Sequence, residues 1–431
     1  MKLNTYRHLR SISVATLALA ALAAPAIAQD VTLKMWTLNN TGYPEFIAQA
    51  AEEFKKLHPG VNIVHETFPG DQYKTGIQVA LVGSSPPDIF FNWAGEDAKR
   101  LVADGLVLDL TELGNAEGGF RTTLSPGWQD TFKYDDKIYG VAVDAVSVYL
   151  YTNKNYFAEN NLTPPTTFNE LTGLCKAVRA IDPNTVPLPL GNAGRWKGAH
   201  LMTMLNERTL GQSATAADYD LTRAADALFT DAGYAGAFDK LLEMQDAGCF
   251  EDAPNATDAE LADVMFQTGS SPMSWCGTWC MGDMDAAGVE YELTRFPIME
   301  DGRGDPGAYF MVPEGYQISA KTANPELATA FASFLVSDEQ AEKFSEILKF
   351  LPSNAANIDA VDGATDHFKW AAADMASYSA GVNVLDVALE ASVAEAYLNA
   401  TVEVLNRTQT PEEAVASIRA AALAAKSAAG L

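Results

Sequence analysis

The chain has 431 residues and a formal net charge of −27 at pH 7, from 56 acidic residues against 29 lysines and arginines. A surface this acidic repels nucleic acid and anionic lipid headgroups, which excludes both as main partners. The length is too great for one ordinary hydrophobic core and suits two domains.

The first 28 residues have the organisation of a secretory signal peptide. Lys2, Arg7 and Arg10 precede an apolar stretch from about Val14 to Ala24, and Ala26-Ile27-Ala28 provides a cleavage site. Cleavage leaves 431 − 28 = 403 residues and lowers the formal charge to −27 − 3 = −30. No cysteine directly follows the apolar run, and no later segment offers about 18 consecutive apolar residues. We therefore expect a soluble periplasmic protein without a lipid anchor.

Strand and helix patterns alternate in the first part of the mature chain. Strand-like runs cover Val31 to Trp36, Val61 to Phe68 and Asp88 to Phe91, and helical spacing covers Pro44 to Leu57 and Tyr73 to Val82. This order is typical of βαβ units with a parallel sheet. It predicts an α/β fold for the N-terminal half.

An amide and an indole stand together where the third of these strands ends. Asn92 and Trp93 follow the apolar run that begins after Pro87. Ligands of open α/β sheets bind beyond the carboxyl ends of the strands, so both residues are candidate ligand contacts. The alternative is a turn in which Asn92 caps the next helix and Trp93 packs in the core.

Helical patterns dominate the middle of the chain. A hairpin over residues 134–140 leads into a strand from Val141 to Tyr151, and further strands are predicted at Pro272 to Trp275 and near Tyr291 to Phe296. The helical segments are Asn155 to Asn160, Thr167 to Ile181, Ala199 to Thr209, Ala235 to Ala247 and Asp258 to Gln267.

The C-terminal part contains one more strand and several helices. We predict a strand from Gly315 to Ala320, a helix from Leu327 to Val336, another that starts at Ser337, and a terminal helix from Pro411 to Ala429. The sequence has no internal repeat and no low-complexity linker. Two domains without a tether imply that the chain crosses between them more than once.

Four cysteines remain after signal cleavage, an even number that commonly forms disulfides in an oxidising compartment. Three connectivities are possible. We favour Cys276–Cys280, which clips a local loop, and Cys175–Cys249, which joins two helical segments. The alternative is a zinc site, but four thiolates without a second close pair make a poor tetrahedral framework, so no metal is expected.

Signatures of nucleotide-binding and hydrolytic sites are missing. The sequence has no P-loop, no H-E-x-x-H and no G-x-S-x-G motif, and no G-x-G-x-x-G motif follows the first strand. His58, His65, His200 and His367 are interpreted as surface or capping residues. Asp144 lies in an apolar β-rich stretch, where a charge is costly unless it has a partner. It is either an acceptor for ligand hydroxyls or the partner of a nearby lysine or arginine.

Five of the seven tryptophans adjoin turns or polar, glycine-containing segments: Trp36, Trp93, Trp196, Trp275 and Trp279. An indole face can stack on the apolar C–H face of a sugar ring while polar side chains bind the hydroxyls. The distribution therefore favours a carbohydrate ligand. The alternative is that these rings fill space between domains without touching a ligand.

Four segments, taken in order, resemble the carbohydrate-binding proteins of ABC importers. Gly83 to Trp93, followed by Leu106 to Leu110, is similar to a family segment with Pro-Asp, a strand, Trp and Leu-Asp-Leu. Tyr139 to Asp144 with Tyr151 to Lys154 is similar to the family's Tyr-Gly-Val-Pro and Tyr-Asn-Lys crossover. Leu162 to Leu171 and Met273 to Trp279 match two further segments, although Phe168 replaces the usual Trp and the cysteines beside Trp279 depart from the pattern.

The resemblance implies a two-lobed type II periplasmic-binding-protein fold, α/β, with a mostly parallel sheet flanked by helices in each lobe and a hinge between them. Lobe one would hold residues 29–142 and 298–350, and lobe two residues 143–297 and 351–431. The ligand would lie in the cleft between the lobes. The site residues that the resemblance implies are Trp36, Asn39, Asn92, Trp93, Asp144, Trp196, Trp279 and Tyr309.

The resemblance also implies how the protein works. It would be a monomer without a cofactor or catalytic activity that captures a sugar by closing its lobes and delivers it to a membrane permease coupled to a cytoplasmic ATPase. The alternatives are a protein of this fold that binds a polyol or another polar solute, and a secreted glycoside hydrolase with a carboxylate pair. An anionic ligand would need converging arginines, for which Arg195 is the one attractive candidate.

Overall fold

The computed structural model describes residues 30–124, 126–354 and 364–431. The predicted signal peptide, residues 1–28, lies outside the described residues. In chain order, the strands are β1 (Val31–Leu38), β2 (Val61–Phe68), β3 (Ile89–Trp93), β4 (Lys133–Tyr134), β5 (Lys137–Ile138), β6 (Val141–Val146), β7 (Val148–Asn153), β8 (Met273–Gly277), β9 (Tyr291–Thr294), β10 (Ala308–Phe310), β11 (Val312–Ile318), β12 (Leu351–Pro352) and β13 (Ala380–Val382).

The helices are α1 (Tyr43–Leu57), α2 (Gly70–Val82), α3 (Glu96–Ala103), α4 (Thr111–Asn115), α5 (Pro126–Gln129), α6 (Lys154–Glu159), α7 (Phe168–Ile181), α8 (Trp196–Leu210), α9 (Gln212–Tyr219), α10 (Gly233–Asp246), α11 (Ala259–Gln267), α12 (Met281–Ala286), α13 (Pro325–Leu335), α14 (Asp338–Leu348), α15 (Asp366–Ala376), α16 (Leu385–Ala388), α17 (Ala391–Leu405) and α18 (Pro411–Ala428). None of these helices, over the described ranges, is both long and apolar enough to cross a bilayer.

The first sheet has six strands in the order β12-β6-β11-β3-β1-β2. Strand β1 is parallel to both β2 and β3, as the alternation of strands and helices predicts. Strand β11 is antiparallel to β3 and to β6, and β12 is antiparallel to β6. The sheet is therefore mixed, with its parallel part confined to the βαβ units at the N-terminus.

The second sheet has the order β8-β7-β9, and β7 is antiparallel to both neighbours. The prediction of a mostly parallel sheet in each lobe is therefore wrong for the second sheet, and in the first sheet only two of the five described strand pairings are parallel. Strand β7 continues directly from β6, and long helical excursions separate it from β8 and β9. After those excursions the chain enters β8 and β9 from the end of β7 that makes them antiparallel to it. The pattern of apolar residues does not encode this strand direction.

Buried apolar side chains form two separate cores. The first core draws on residues 33–143 and 316–350, and the second on residues 146–312 and 371–422. The first change of core falls between Val143 and Val146, close to the predicted crossing. Met299 and Val312 pack in the second core, whereas the sequence analysis assigned residues 298–350 to lobe one. The second change of core thus lies within β11 rather than near residue 298.

Local sequence signals explain how several of these elements begin. Helix α7 starts with a reciprocal pair of hydrogen bonds between Thr167 and Glu170, and α18 starts in the same way with Thr410 and Glu413. Each pair satisfies backbone N–H groups that the first helical turn leaves without a partner. Both predicted disulfides, Cys175–Cys249 and Cys276–Cys280, are present. The first joins α7 to the segment after α10, inside the second core.

Candidate ligand-binding site

Three side chains form a row across the first sheet, at the end where β3 stops. Glu314 on β11 pairs with Trp93 of β3 on one side and with Asp144 of β6 on the other. The indole Nε1–H of Trp93 donates a hydrogen bond of 3.0 Å to Oε1 of Glu314. The Trp93 ring contacts both hydrophobic cores. The row therefore runs from Asp144, which is buried in the first sheet, to Trp93, which lies at the boundary between the cores.

The two carboxyl groups in this row are buried side by side. Asp144 is fully buried, and apart from the neighbouring Glu314 carboxyl no described residue donates a hydrogen bond to its side-chain oxygens. Of the two alternatives that the sequence left open for Asp144, a lysine or arginine partner is therefore not found among the described residues. Burial raises the pKa of Asp144, and burial together with the neighbouring Asp144 raises the pKa of Glu314.

A second group of aromatic rings, here called the second platform, lies at the boundary between the cores. Trp279 lies in a 3-10 turn, Thr278–Cys280, which directly follows β8. Its ring covers Gly277 so closely that a Cβ atom on that glycine would lie 1.9 Å from Cζ3 of the indole. The Cys276–Cys280 disulfide closes the five-residue loop that carries the ring. Like Trp93, Trp279 contacts both cores.

Helix α8 adds two more rings beside Trp279. Trp196 is the first residue of this helix and His200 lies one turn later, with ring centroids 6.1 and 5.9 Å from that of Trp279. His200 also lies 4.8 Å from the ring of Phe310. The imidazole is surrounded by these rings, and burial lowers its pKa to about 4, so it is neutral at pH 7.

An ion pair joins the two halves of the molecule next to these rings. Lys74 of α2 contacts Asp386 of α16 at 2.7 Å, and its Nζ also lies 5.0 Å from the centroid of the Trp93 ring. Burial acts to raise the pKa of Asp386, but Lys74 and, to a smaller extent, His200 outweigh it, and the pKa is lowered. Oδ1 of Asp386 has no hydrogen-bond donor among the described residues.

Other contacts across the same boundary show that the two cores lie against each other. The Thr41 hydroxyl donates to Asp283 at 2.8 Å. Gly95, at a φ of +145°, approaches the backbone of Val387 so closely that a Cβ atom would lie 2.4 Å from its carbonyl oxygen. The two halves of the chain are thus in direct contact near Trp93 and Trp279.

Three of the predicted site residues belong to the first sheet without reaching the opposing platform. Trp36 packs on Phe68, with ring centroids 4.6 Å apart. Asn39 is exposed just after β1. The Asn92 amide donates to Gln317 at 2.7 Å and its oxygen accepts from the backbone N–H of Trp93, so both ends of this side chain already have partners.

Tyr309 lies away from the platform, fully enclosed in the second core. Its hydroxyl accepts a 2.6 Å hydrogen bond from the backbone N–H of Phe296, and its ring stacks on Tyr149. Trp275 is buried in the same core. Arg195, the candidate for an anionic ligand, contacts Glu395 at 2.7 Å. The structure thus places Trp93 and Asp144 in one row on the first sheet and Trp196 and Trp279 in one ring cluster, and both Trp93 and Trp279 pack against both cores.

Four residues at this boundary were missed by the sequence analysis. Glu314 is an acidic residue in an apolar strand, the same signal that singled out Asp144. His200 stands four residues after Trp196 on one face of a helix, which was also readable from the sequence. Lys74 and Asp386 carry no comparable signal, because they are 312 residues apart and meet only in the folded chain.

One group of potential metal-ligating side chains occurs in the described part of the chain. Donor atoms of Asp263, Cys276 and Cys280 lie within 4.8 Å of one another. The two sulfur atoms are bonded to each other and so do not provide thiolates. Asp263 also contacts Lys197. This arrangement does not fit a metal ion.

The chain is similar to known binding proteins over most of its length. The family model for bacterial extracellular solute-binding proteins matches residues 49–371. An uncharacterised ABC transporter extracellular-binding protein of Pyrococcus horikoshii is 24% identical over 351 residues, which cover 76% of this chain and 77% of that protein. A maltotriose-binding protein of Pyrococcus abyssi is 23% identical over 299 residues, or 68% of this chain and 60% of that protein.

A solved structure supports the same fold. It comes from work on xylan utilization by the thermophilic bacterium Caldanaerobius polysaccharolyticus, is 26% identical in sequence and has a TM-score of 0.81. The match covers 90% of this chain and 99% of that chain. The α/β class and the overall two-part architecture predicted from the sequence are therefore confirmed.

Proposed function

The chain belongs to the family of bacterial extracellular solute-binding proteins, and from this premise we propose that it is the periplasmic sugar-binding component of an ABC importer. The single observation that carries the proposal is the pair of indoles, Trp93 and Trp279, that contact both cores at their boundary. Sugar-ring faces stack on such rings. One relative of the chain is an ABC transporter extracellular-binding protein and another is a maltotriose-binding protein. The second relative favours an oligosaccharide as the ligand.

Capture follows from the placement of contacts on both halves of the molecule. We assign the lobes to the two cores, with the chain crossing between Val143 and Val146, again in β11, and once more between Phe350 and Ala371. A ligand between them favours the closed arrangement only if it makes more contacts there than in the open one. Trp93 and Asp144 supply contacts from one lobe, and Trp196 and Trp279 from the other. The oxygens of Asp144, to which no described residue except Glu314 donates, accept hydrogen bonds from ligand hydroxyls.

The remaining parts of the proposal concern location and partners. Cleavage after Ala28 releases the mature protein into the periplasm as a monomer. The closed form is recognised by a membrane permease, and a cytoplasmic ATPase drives transport. The protein changes no bond in the sugar. No cofactor takes part.

A thermal-shift screen tests this function. The panel contains mono-, di- and trisaccharides, polyols and phosphate esters, because a ligand that binds the folded state alone raises the melting temperature. We expect a rise of a few degrees with at least one oligosaccharide and none with phosphate esters. Recovery of the bound sugar, unchanged after prolonged incubation, separates binding from hydrolysis. Stabilisation by polyols alone would replace the sugar with another solute.

Replacing Gly277 with alanine tests whether the position of the Trp279 ring matters. The new methyl group occupies space that the indole now fills, so the ring must move away from the glycine. We expect affinity for the sugar to fall about tenfold, equivalent to about 1.4 kcal/mol. Gly282→Ala is the matched control, since nothing lies within 4 Å of its added Cβ atom. Equal affinities in calorimetric titrations of the two variants would contradict the expectation.

Replacing Lys74 with methionine tests the ion pair between the lobes. The substitution leaves the nearly buried Asp386 carboxylate without its lysine when the lobes close. Because Lys74 is itself about one-third exposed, we expect a loss of about 1–2 kcal/mol of binding free energy. Lys99→Met, which removes an exposed pair with Glu96, is the control. Small-angle scattering of the ligand-free proteins should show a larger radius of gyration for Lys74→Met only.

A further inference from the structure

Glu314 occupies the centre of the row that links the Trp93 indole to Asp144. We propose that Glu314 is a positioning residue of the ligand site, which fixes the Trp93 ring through its Nε1–H and holds one proton jointly with Asp144 until ligand binds. This inference rests on the proposed function for its ligand step alone. Its two other parts, ring position and shared proton, concern the ligand-free protein.

The hydrogen bond from Trp93 gives the first part of the argument. An indole has a single donor, and when the ring is partly buried this N–H needs an acceptor. Oε1 of Glu314 accepts it at 3.0 Å, and Glu314 is itself only 5% exposed. This hydrogen bond holds the edge of the indole to β11 and so fixes the orientation of the ring, which borders the opposing lobe. Loss of the acceptor would free the ring to rotate.

The neighbourhood of the two carboxyl groups gives the second part. Ionised carboxylates are acceptors only, so two of them side by side repel each other unless one carries a proton. The register of β11 changes between Glu314 and Gly315, and the bulge places Glu314 opposite Asp144. Apart from Glu314, no described residue donates a hydrogen bond to either oxygen of Asp144. A proton held between the two groups satisfies both.

Two phenols and one ammonium group lie near the pair. Tyr43 of α1 and Tyr316 of β11 face the same cluster, and their hydroxyls lie close to each other. Burial raises the pKa of both phenols, so they stay neutral. Lys74 of α2 lies over the Trp93 ring and is paired with Asp386. The shared proton therefore stays on the two carboxyl groups until ligand hydroxyls donate hydrogen bonds to Asp144.

Stability in the absence of ligand reports on the shared proton. A carboxyl with a raised pKa binds more protons in the folded than in the unfolded protein, so the free energy of unfolding falls as pH rises above about 4. The fall continues up to the raised pKa of the pair in the folded state. Glu314→Gln retains an acceptor for the indole but removes the second acid. We expect this variant to lose less stability than wild type between pH 5 and pH 8.

The ring position is tested by NMR of the indole N–H groups. The Trp93 signal is identified by its absence from Trp93→Phe. We expect it to be nearly unchanged in Glu314→Gln and displaced in Glu314→Leu, which has no acceptor. Glu112→Gln, which alters an exposed acid in α4, is the control for both measurements. An unmoved indole signal in Glu314→Leu, or identical pH dependence in wild type and Glu314→Gln, overturns the proposal.

Titration with maltotriose, chitotriose and xylotriose tests the ligand step. For any sugar that wild type binds, we expect the affinity to rise with pH, because the pair loses its proton when ligand binds. The released proton should make the measured binding enthalpy depend on the ionisation enthalpy of the buffer. Glu314→Gln should bind within about threefold of wild type at pH 7 but with a smaller pH dependence, and Glu314→Leu at least tenfold more weakly. If wild type binds no sugar in the wider screen, the sugar-binding function fails, while stability and NMR still decide the role of Glu314.

Discussion

Trp279→Ala is expected to weaken sugar binding by about 2–3 kcal/mol, roughly a 30- to 150-fold rise in Kd. The substitution removes the ring that covers Gly277 and contacts both cores. Part of the loss comes from apolar area that the sugar no longer buries, and part from ring stacking. The neighbouring Trp196 and His200 also lose their contact with this ring, so the second platform is left without its central member.

Isothermal titration calorimetry with the sugar found in the screen provides the measurement. Trp370→Ala is the control, since that indole lies on α15, is 41% exposed and contacts Tyr149 rather than the platform. Trp279→Phe keeps a smaller flat ring and should recover part of the affinity. Wild-type affinity in Trp279→Ala would remove this residue from the site. An equal loss in Trp370→Ala would point to a general effect on folding.

Removing the Cys175–Cys249 disulfide is expected to destabilise the protein by about 4 kcal/mol, and removing Cys276–Cys280 by about 2 kcal/mol. The difference arises because the first bond closes a loop of 74 residues in sequence separation and the second a loop of 4. A longer loop loses more conformational entropy in the unfolded chain when it is closed. Double alanine variants, compared by urea unfolding under the same conditions, measure both values.

For ligand affinity, in contrast to stability, removing Cys276–Cys280 should have the larger effect and removing Cys175–Cys249 the smaller. Cys276→Ala with Cys280→Ala loosens the loop that holds Trp279, so we expect weaker binding with a modest loss of stability. Cys175→Ala with Cys249→Ala removes a bond inside the second core, away from Trp93 and Trp279, and should leave the affinity of the folded protein unchanged. Each double variant is thus the control for the other. The same affinity in both would show that the local disulfide does not position the ring.

Sequence patterns predicted those features of the site that depend on neighbouring residues. The strand that ends at Trp93 and the cysteines that flank Trp279 were all readable, because apolar periodicity and residue spacing are local properties. The buried position of Asp144 followed from an acidic residue in an apolar strand. The same reasoning applied to Glu314 would have found the second carboxyl group of the pair.

Contacts between distant segments were beyond those patterns. Tyr309 was predicted in the site by resemblance, yet its hydroxyl binds a backbone N–H inside the second core. Lys74 and Asp386 meet across 312 residues, and neither segment alone shows that they do. For the same reason the sequence did not predict how much of Trp36 would pack on Phe68.

The sequence by itself determined the α/β class, the parallel pairing of β1 with β2 and β3, the two disulfides and the set of aromatic and acidic residues available for a site. The tertiary structure alone decided that the second sheet is antiparallel, that the second change of core falls in β11, and that Trp93 and Trp279 each pack against both cores. Local preferences act over a few residues and fix strands, helices and turns. Strand direction and the pairing of distant side chains depend on where the chain returns after a long excursion, which the packing of the whole molecule settles.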